Sequence, residues 1–465
     1  MEGLLSKVKN IYLVGIGGIG MSGLALLLKD RGFQVRGSDS KDSTNVRMLR
    51  DRGIKVFIGH RESQVSRDID ILGYSSAVDE ENPEIIQAKK KGLNIFKRAE
   101  LLAELCRGRK TIAISGSHGK TTTTSLLGYL LTSLGYKPAV FVGGISLNYS
   151  RGAWWGDDYF VIEADESDGS YLCFDPWVSI ITNVDREHLD YYGSLEKLRK
   201  SFLRFAKETR GKVIVSGDDP HLAEIFSGID IDGITFGWGK QNTLGGMNFR
   251  FDGEFSCFDL YIKEKFITSV KTPLVGRYNC LNTLAVFAFF YYLGEDLEKV
   301  KQALLDFKGT KRRFEVKGKI KGVTFIDDYA HHPTEIKAVL SAGRLLNPKR
   351  LFVIFQPHRF SRVSSLRPEF VQCFSETDHL VVTDIYAASE ENIFGVSAKK
   401  LAEETGKCSA VKAEYIPKNE LIAGIASRLK DGDLVLALGA GDINIMMEDI
   451  RRCFHKRTGL KKTLI

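Results

Sequence analysis

The chain has 465 residues, 43% of them apolar and 27% charged, an ordinary balance for a globular protein with room for about three domains of roughly 150 residues each. A net charge of +8 is mild at this length, and without a long Lys/Arg block or a basic stripe interleaved with aromatics no nucleic-acid partner is expected. Seven scattered cysteines with no C-x-x-C, a longest apolar run (Leu284–Leu293) too short for a bilayer, and an N-terminal stretch broken by Lys7 and Lys9 argue against a disulfide framework, a zinc site, membrane insertion and a signal peptide, so a cytoplasmic protein is expected.

Asn10–Val14 reads as a strand, followed by Gly15-Ile16-Gly17-Gly18-Ile19-Gly20 and a helix over Met21–Leu28. G-x-G-x-x-G between a strand and a helix is the setting in which backbone N–H groups and a helix N-terminus receive a pyrophosphate. A second strand, Gln34–Gly37, leads to Asp39, at the distance where an acid meets a ribose hydroxyl. The strand Ile69–Tyr74 ends in Ser75-Ser76-Ala77, hydroxyls that either meet a ligand at the sheet's carboxyl edge or cap the following helix, Pro83–Lys91. Together these predict a Rossmann-like unit for a nucleotide diphosphate. The plainer alternative is a glycine turn without a ligand. Ile95-Phe96 and a helix over Arg98–Leu105 close the unit, and Arg107–Lys110 reads as a linker.

Ile112–Ser115 is a short apolar strand running into Gly116-Ser117-His118-Gly119-Lys120-Thr121-Thr122, then a helix over Ser125–Leu134. Such a loop points N–H groups at an anion, Lys120 adds a mobile positive charge, and Thr121 offers a hydroxyl to Mg²⁺. The loop is shorter than the Walker form, because Ile114 rather than Gly stands six residues before Lys120. The strand Tyr159–Ile162 runs into Glu163-Ala164-Asp165-Glu166-Ser167-Asp168, four acids in six residues. Such a run is either a solvated loop or a cation site. A strand over Val178–Thr182 leads to His188 in Asn183–Asp190. Three ligand-like groups after parallel strands are expected to converge on one sheet edge.

Lys212–Ser216, Thr235–Gly237 and Leu260–Ile262 are further strands, with a β-rich stretch over 240–272 that carries no chemical motif. Just before the helix expected over Thr283–Tyr292 lie Asn279 and Asn282, three apart and able to bond an adenine edge or to cap the helix. Phe307–Phe314 has the glycine and charge of a hinge. A third alternating α/β pattern follows: Val323–Ile326 ends in Asp327–Pro333, Leu351–Phe355 ends in Gln356–Arg362, and strands over His379–Thr383 and Leu434–Leu438 come after. A phosphate loop with acids and a His, a separate nucleotide-diphosphate unit, and a third unit rich in Asp, His and Arg make a kit for ATP-driven joining of a nucleotide-linked carboxylate to an amine. Arg359 or Arg362 would fork onto an amino acid's carboxylate.

As a set, GIGGIGMS (Gly15–Ser22), GSHGKTTTT (Gly116–Thr124), EADESD (Glu163–Asp168), Thr182–Asp190, GRYNCLN (Gly276–Asn282), Arg312–Phe314, DDYAHHP (Asp327–Pro333) and FQPHRFSR (Phe355–Arg362) resemble the Mur ligase family of bacterial cell-wall synthesis, in order and along the whole chain. The resemblance implies an α/β fold in three domains. These are a Rossmann-like UDP-binding domain (1–107), a P-loop ATPase domain with a mostly parallel sheet (108–311), and a Rossmann-like C-terminal domain that binds the amino acid (312–465). It implies ATP and Mg²⁺, with Lys120 on the phosphates, Thr121 on one Mg²⁺, Glu163 and His188 on a second, Asn279 and Asn282 beside adenine, and Arg313 and Asp328 also reaching ATP. It further implies UDP-N-acetylmuramate held by Gly17, Gly18, Ile19, Gly20, Asp39, Ser75 and Ser76, and L-alanine by His331, Arg359 and Arg362. The oligomeric state does not follow.

Three positions depart from the family pattern. Ser117 replaces a common Thr, Tyr278 a common His, and Phe202 stands where other branches carry a carbamylated Lys. That last change leaves the alanine-adding and tripeptide-recycling branches, and GIGGIGMS with EADESD favours the first. A nicotinamide oxidoreductase would leave Lys120, Glu163 and His188 without a task, and those three residues also speak against a non-catalytic nucleotide sensor.

Overall fold

The computed structural model describes residues 4–229, 232–408 and 411–457. Its strands form three sheets. The first holds β1 (Asn10–Val14), β2 (Gln34–Asp39), β3 (Lys55–Ile58), β4 (Ile71–Tyr74) and β5 (Asn94–Lys97) in the order β3-β2-β1-β4-β5, all parallel. The order reverses between β1 and β4, so the glycine loop after β1 and Ser75-Ser76 after β4 flank the crevice where such sheets bind ligands.

The second sheet holds β6 (Lys110–Ser115), β7 (Ala139–Ser146), β8 (Arg151–Trp154), β9 (Tyr159–Glu163), β10 (Val178–Ile181), β11 (Lys212–Ser216), β12 (Gly233–Trp238), β13 (Leu244–Phe251), β14 (Ser256–Ile262) and β15 (Lys265–Thr272). Its order is β15-β14-β13-β12-β11-β10-β6-β9-β7-β8, parallel from β13 through β7 and antiparallel at β7–β8. The third holds β16 (Glu315–Ile320), β17 (Val323–Asp328), β18 (Arg350–Phe355), β19 (His379–Val382), β20 (Lys412–Tyr415) and β21 (Asp433–Leu438) in the order β16-β17-β21-β18-β19-β20, with only β16 antiparallel to its neighbour.

The strands nearest the chemistry are unbroken apolar runs because both faces are covered. Ile112–Ile114 of β6, Phe160–Ile162 of β9 and Ile180-Ile181 of β10 have no exposed surface. The helix Lys120–Ser133 is buried from Thr121 to Leu131, so its sequence has no polar stripe to mark its start. It begins at Lys120, five residues before the expected Ser125, after the left-handed Gly119. Thr124 Oγ1 bonds back to the Lys120 carbonyl at 2.8 Å, one way a β-branched residue is accommodated in a first turn. The helix expected at Thr283 likewise begins earlier and spans Arg277–Leu293. The strands β3, β7, β8, β16 and β20 and the helix Thr44–Asp51 are among the additions to the expected elements.

The chain forms two compact units. One comprises the chain up to Asn248 with Phe258–Pro273 and Leu281–Thr310; the other comprises Phe249–Cys257, Leu274–Cys280 and the chain from Lys311 on. Within the first, the helix Ile19–Asp30 joins the N-terminal sheet to the second one: Leu24, Leu27 and Leu28 share a core with Phe141 of β7 and Ala153 of β8. The close approach uses Gly23, where an added Cβ would lie 3.3 Å from the Phe141 ring. The second unit packs two apolar layers on its sheet, one around Phe355 and Leu436 and one around Phe352 and Val435. Among the described residues no helix is long and apolar enough to cross a membrane.

Candidate active site

In the first unit, β9, β6 and β10 lie side by side, with Ile114 opposite Glu163 and Ser115 opposite Ile181. Their carboxyl ends therefore deliver the phosphate loop, the acid run and the His188 segment to one edge. The loop is laced to the segment after β10. Ser117 N–H donates to the Asn183 carbonyl (3.0 Å), His118 N–H to Asn183 Oδ1 (2.8 Å), Asn183 Nδ2 and Thr182 Oγ1 to the His118 carbonyl (3.0 and 2.6 Å), and Asp185 N–H to Ser117 Oγ (2.8 Å). His118 Nε2 lies 3.0 Å from Asp185 Oδ2. Gly116 (φ +125°) could carry no side chain, because a Cβ would fall 2.3 Å from Thr182 Oγ1. Gly119 (φ +86°) leaves room for Asn282 Oδ1, 2.5 Å from where its Cβ would be.

Lys120 Nζ donates to the Gly116 carbonyl (2.8 Å) and to Glu166 Oε1 (2.9 Å), with Asp165 Oδ1 at 3.9 Å. Burial works against its charge, but the carboxylates of Glu166, Asp165 and Glu163 outweigh burial and keep the ammonium protonated above the ordinary lysine range. Glu166 has no exposed surface; burial pushes its carboxyl upward, while the charge and hydrogen bond of Lys120 pull it back toward the ionised form. Thr121 Oγ1 donates to Glu163 Oε1 at 2.9 Å, and Gly143 N–H to Glu163 Oε2 at 2.6 Å. His188 sits in the left-handed region (φ +57°) at the start of the helix Leu189–Tyr192, its Nε2 3.7 Å from Glu166 Oε1 and 3.8 Å from Glu187 Oε2. Thr122 is buried in the first turn of its helix. Phe202 is fully buried against the Tyr171 ring.

The glycine loop of the N-terminal sheet is held by Asp39, whose Oδ2 accepts from Gly17 N–H at 2.8 Å and whose Oδ1 accepts from Lys41 N–H at 3.0 Å. Gly18 N–H bonds to the Gly15 carbonyl, and Ile19 is 59% exposed, leaving an apolar side chain at the mouth of the crevice. Beside Gly20 lies the Arg98 guanidinium, 3.2 Å from where a Cβ on Gly20 would sit, a cation that the motif alone did not indicate. Ser75 Oγ accepts from Ala77 N–H at 3.3 Å in a local turn, and Ser76 is exposed.

In the second unit, Asp328 is the last residue of β17. Its oxygens accept from Phe314 N–H (2.6 Å) and Ala330 N–H (2.7 Å). Burial raises its carboxyl to about 6, although Arg313 opposes the shift. Arg312 and Phe314 both have positive φ (58° and 48°). Arg312 donates to the Gly439 and Gly441 carbonyls after β21, while Arg313 stands 3.8 Å from Glu335 Oε1, and both guanidinium groups lie over the Tyr329 ring at about 5 Å. His331 precedes a capped helix, Pro333–Leu345. Pro333 opens it, and Glu335 accepts from the His331 and His332 N–H groups. The His331 ring meets His358 edge-on at 5.7 Å, and Arg362 Nη1 lies 3.2 Å from His358 Nδ1. Burial, with His331, Arg362 and Arg359, pushes His358 down to about 3, so its imidazole is neutral at physiological pH and able to accept from Arg362. Arg359 is held at φ +67°, its Nε 4.0 Å from Glu390 Oε1. Asn279 donates through Nδ2 to the Val275 carbonyl at 2.9 Å.

The structure thus gathers Gly116–Thr121, Glu163, His188 and Asn282 in one unit, and Arg313, Asp328, His331 and Arg362 in the other. Sequence reasoning missed Glu166 as the partner of Lys120, Asn183 as the loop's anchor, Arg98 beside the glycine loop, and His358 beside Arg362. Glu166 lay within the acid run, but spacing does not rank four acids.

A glycine-loop lysine at the carboxyl edge of a parallel sheet, with a hydroxyl, acids and a His around it, defines a nucleotide-phosphate-binding α/β protein. Residues 10–110 match the model of the Mur ligase family, catalytic domain; 114–290 that of the Mur ligase middle domain; and 312–441 that of the Mur ligase, glutamate ligase domain. The UDP-N-acetylmuramate–L-alanine ligase of Syntrophus aciditrophicus is 41% identical over 442 residues, 94% of this chain and 92% of that protein. The crystal structure of the UDP-N-acetylmuramate-alanine ligase MurC from Thermotoga maritima superposes with a TM-score of 0.82 at 31% identity, covering 97% of this chain and 99% of that one. A murein peptide ligase from Psychrobacter arcticus shares the fold, with a TM-score of 0.70 at 21% identity over 98% and 100% of the two chains. The chain belongs to the Mur ligase family.

Proposed function

We propose that this chain is the alanine-adding Mur ligase of its cell, acting in the cytoplasm: it joins L-alanine to the lactyl carboxylate of UDP-N-acetylmuramate at the expense of ATP, giving ADP and phosphate. The observation that carries the reading is the shared edge of β9, β6 and β10, which brings Lys120, Thr121, Glu163, Glu166 and His188 together. The names borne by the relatives at about 41% identity support the choice of alanine.

In this reading the loop N–H groups and Lys120 hold the ATP phosphates, and Asn279 and Asn282 serve the adenine side. Thr121, Glu163 and His188 fit a hard divalent cation: their donors are a hydroxyl, a carboxylate and an imidazole, and the buried Oε2 of the adjacent Glu166 has no hydrogen-bond partner among the described residues. When bound, Mg²⁺ neutralises phosphate oxygens as charge moves onto them. The lactyl carboxylate attacks the γ-phosphate to give an acyl phosphate, and the alanine amine then displaces phosphate through a tetrahedral intermediate. Arg313 and Asp328 keep the ATP-side roles implied by the resemblance. Gly17–Gly20, Asp39, Ser75 and Ser76 take the UDP moiety, and His331, Arg359 and Arg362 take alanine. The domain limits 1–107, 108–311 and 312–465 belong to the same reading.

The test is amine selection. With ATP, Mg²⁺ and UDP-N-acetylmuramate, phosphate release should depend on L-alanine. Release with L-Ala-γ-D-Glu-meso-diaminopimelate instead would keep the chemistry and overturn the substrate.

A further inference from the structure

Glu166 stands apart from the other acids of its run. It has no exposed surface, one oxygen is bonded to Lys120 Nζ at 2.9 Å, and the other is buried with no hydrogen-bond partner among the described residues. Its Oε1 also faces His188 Nε2 at 3.7 Å, and Tyr192 Oη pins its backbone carbonyl at 2.6 Å. A buried carboxylate with an unmet oxygen is costly, and the chain compensates only one side of it. Lys120 has its own consequence: the ammonium meant for phosphates is already ion-paired with Glu166 at 2.9 Å and hydrogen-bonded to the Gly116 carbonyl at 2.8 Å. A polyphosphate entering this loop alone would meet a lysine whose charge is already paired and a fixed anion behind it.

Resting on the ATP-site reading above, we propose that Glu166 is a positioning residue that makes nucleotide binding conditional on a divalent cation: it holds Lys120 in place and disfavours a metal-free triphosphate. With the cation present, the extra positive charge offsets Glu166, and the clamped Lys120 is already in position. Glu163 is held by Thr121 and Gly143, whereas the carboxylate hydrogen-bonded to Lys120 is that of Glu166. The two acids therefore have separable effects. Removing Glu163 should weaken binding in the presence of the cation, whereas neutralising Glu166 should strengthen binding in its absence.

The experiment is calorimetric titration of the full chain with ATP, in Mg²⁺ and in EDTA, for the wild type, Glu166→Gln and Glu166→Asp. One charge removed within a few ångström of a phosphate is expected to change affinity on the order of tenfold or more. In the wild type Mg²⁺ should therefore tighten binding strongly. In Glu166→Gln the ratio of the two affinities should collapse by about tenfold, mainly through tighter binding in EDTA. Glu166→Asp, which keeps the charge, should restore the ratio; if Glu166→Gln does not fold by circular dichroism, the proposal is judged on Glu166→Ser, which removes the charge with less bulk. An unchanged ratio in a folded neutral variant overturns the inference while leaving the ATP site standing. A wild type that binds no ATP even with Mg²⁺ overturns the reading on which it rests.

Discussion

At the scale of single residues, positions that tolerate no change stand beside one that titrates. An alanine at 119 would place a Cβ 2.5 Å from Asn282 Oδ1 at a φ of +86°, and the left-handed backbone alone costs about 1–2 kcal/mol for a residue with a Cβ. Gly119→Ala is therefore expected to lower the thermal midpoint and to weaken ATP binding together, as read by melting curves and calorimetry; a variant with wild-type values for both would contradict the packing described here. Asp328 works through pH. Its folded carboxyl is raised to about 6 by burial, whereas an unfolded Asp titrates near 3.9. A raised acid contributes stability that is fully present below about pH 4 and is lost as pH rises through about 6, no more than about 3 kcal/mol for two pK units. The melting temperature of Asp328→Asn should consequently fall less than that of the wild type between pH 5 and pH 7. Parallel profiles would place the proton elsewhere.

At the scale of elements, the phosphate loop owes its shape to a neighbouring segment rather than to its own sequence. Asn183 holds the His118 peptide at both ends, through Oδ1 and Nδ2. Asn183→Ala would remove both of these bonds, leaving the carbonyl with Thr182 Oγ1 and taking the side-chain acceptor from the N–H, a loss of about 1–3 kcal/mol. The nucleotide dissociation constant should rise about tenfold for each 1.4 kcal/mol that falls on the bound conformation, with UDP-sugar binding unaffected; unchanged ATP affinity would mean that the loop holds itself.

The sheet strands were legible because parallel strands covered on both faces read as apolar runs, as in Ile112–Ile114 and Phe352–Phe355. Other features were hidden for physical reasons. Four consecutive threonines masked the start of the helix at Lys120, since β-branched residues are poor helix formers and only burial keeps them there. Gly143 and Gly144 broke the pattern of β7, where the missing side chains admit Glu163 and Thr121. The motif residues were legible as a set; their pairings were not. Which acid faces Lys120 depends on burial after the strand ends, and which of Arg312 and Arg313 bonds the loop carbonyls depends on a positive φ that nothing in the two adjacent arginines encodes.

At the scale of the whole molecule, three sheets carry three sets of groups, and the glycine loops after β1 and β6 sit on different sheets. Lys120→Ala should therefore abolish turnover while UDP-N-acetylmuramate binds with nearly wild-type affinity in calorimetry. Loss of both would contradict the separation of the two sites. The helix Ile19–Asp30 packs on β7 and β8, so a core substitution at that seam, such as Leu27→Ala, would disturb both sheets and should cost about 2–5 kcal/mol in stability.

The most direct measurement is phosphate release from ATP with Mg²⁺, UDP-N-acetylmuramate and L-alanine, each omitted in turn. Release that requires all four, with ADP formed in equal amount, is the predicted result. Release without the UDP-sugar, or silence with every component present in a folded protein that binds ATP, would contradict the assignment of this edge of the sheet to acyl-phosphate chemistry.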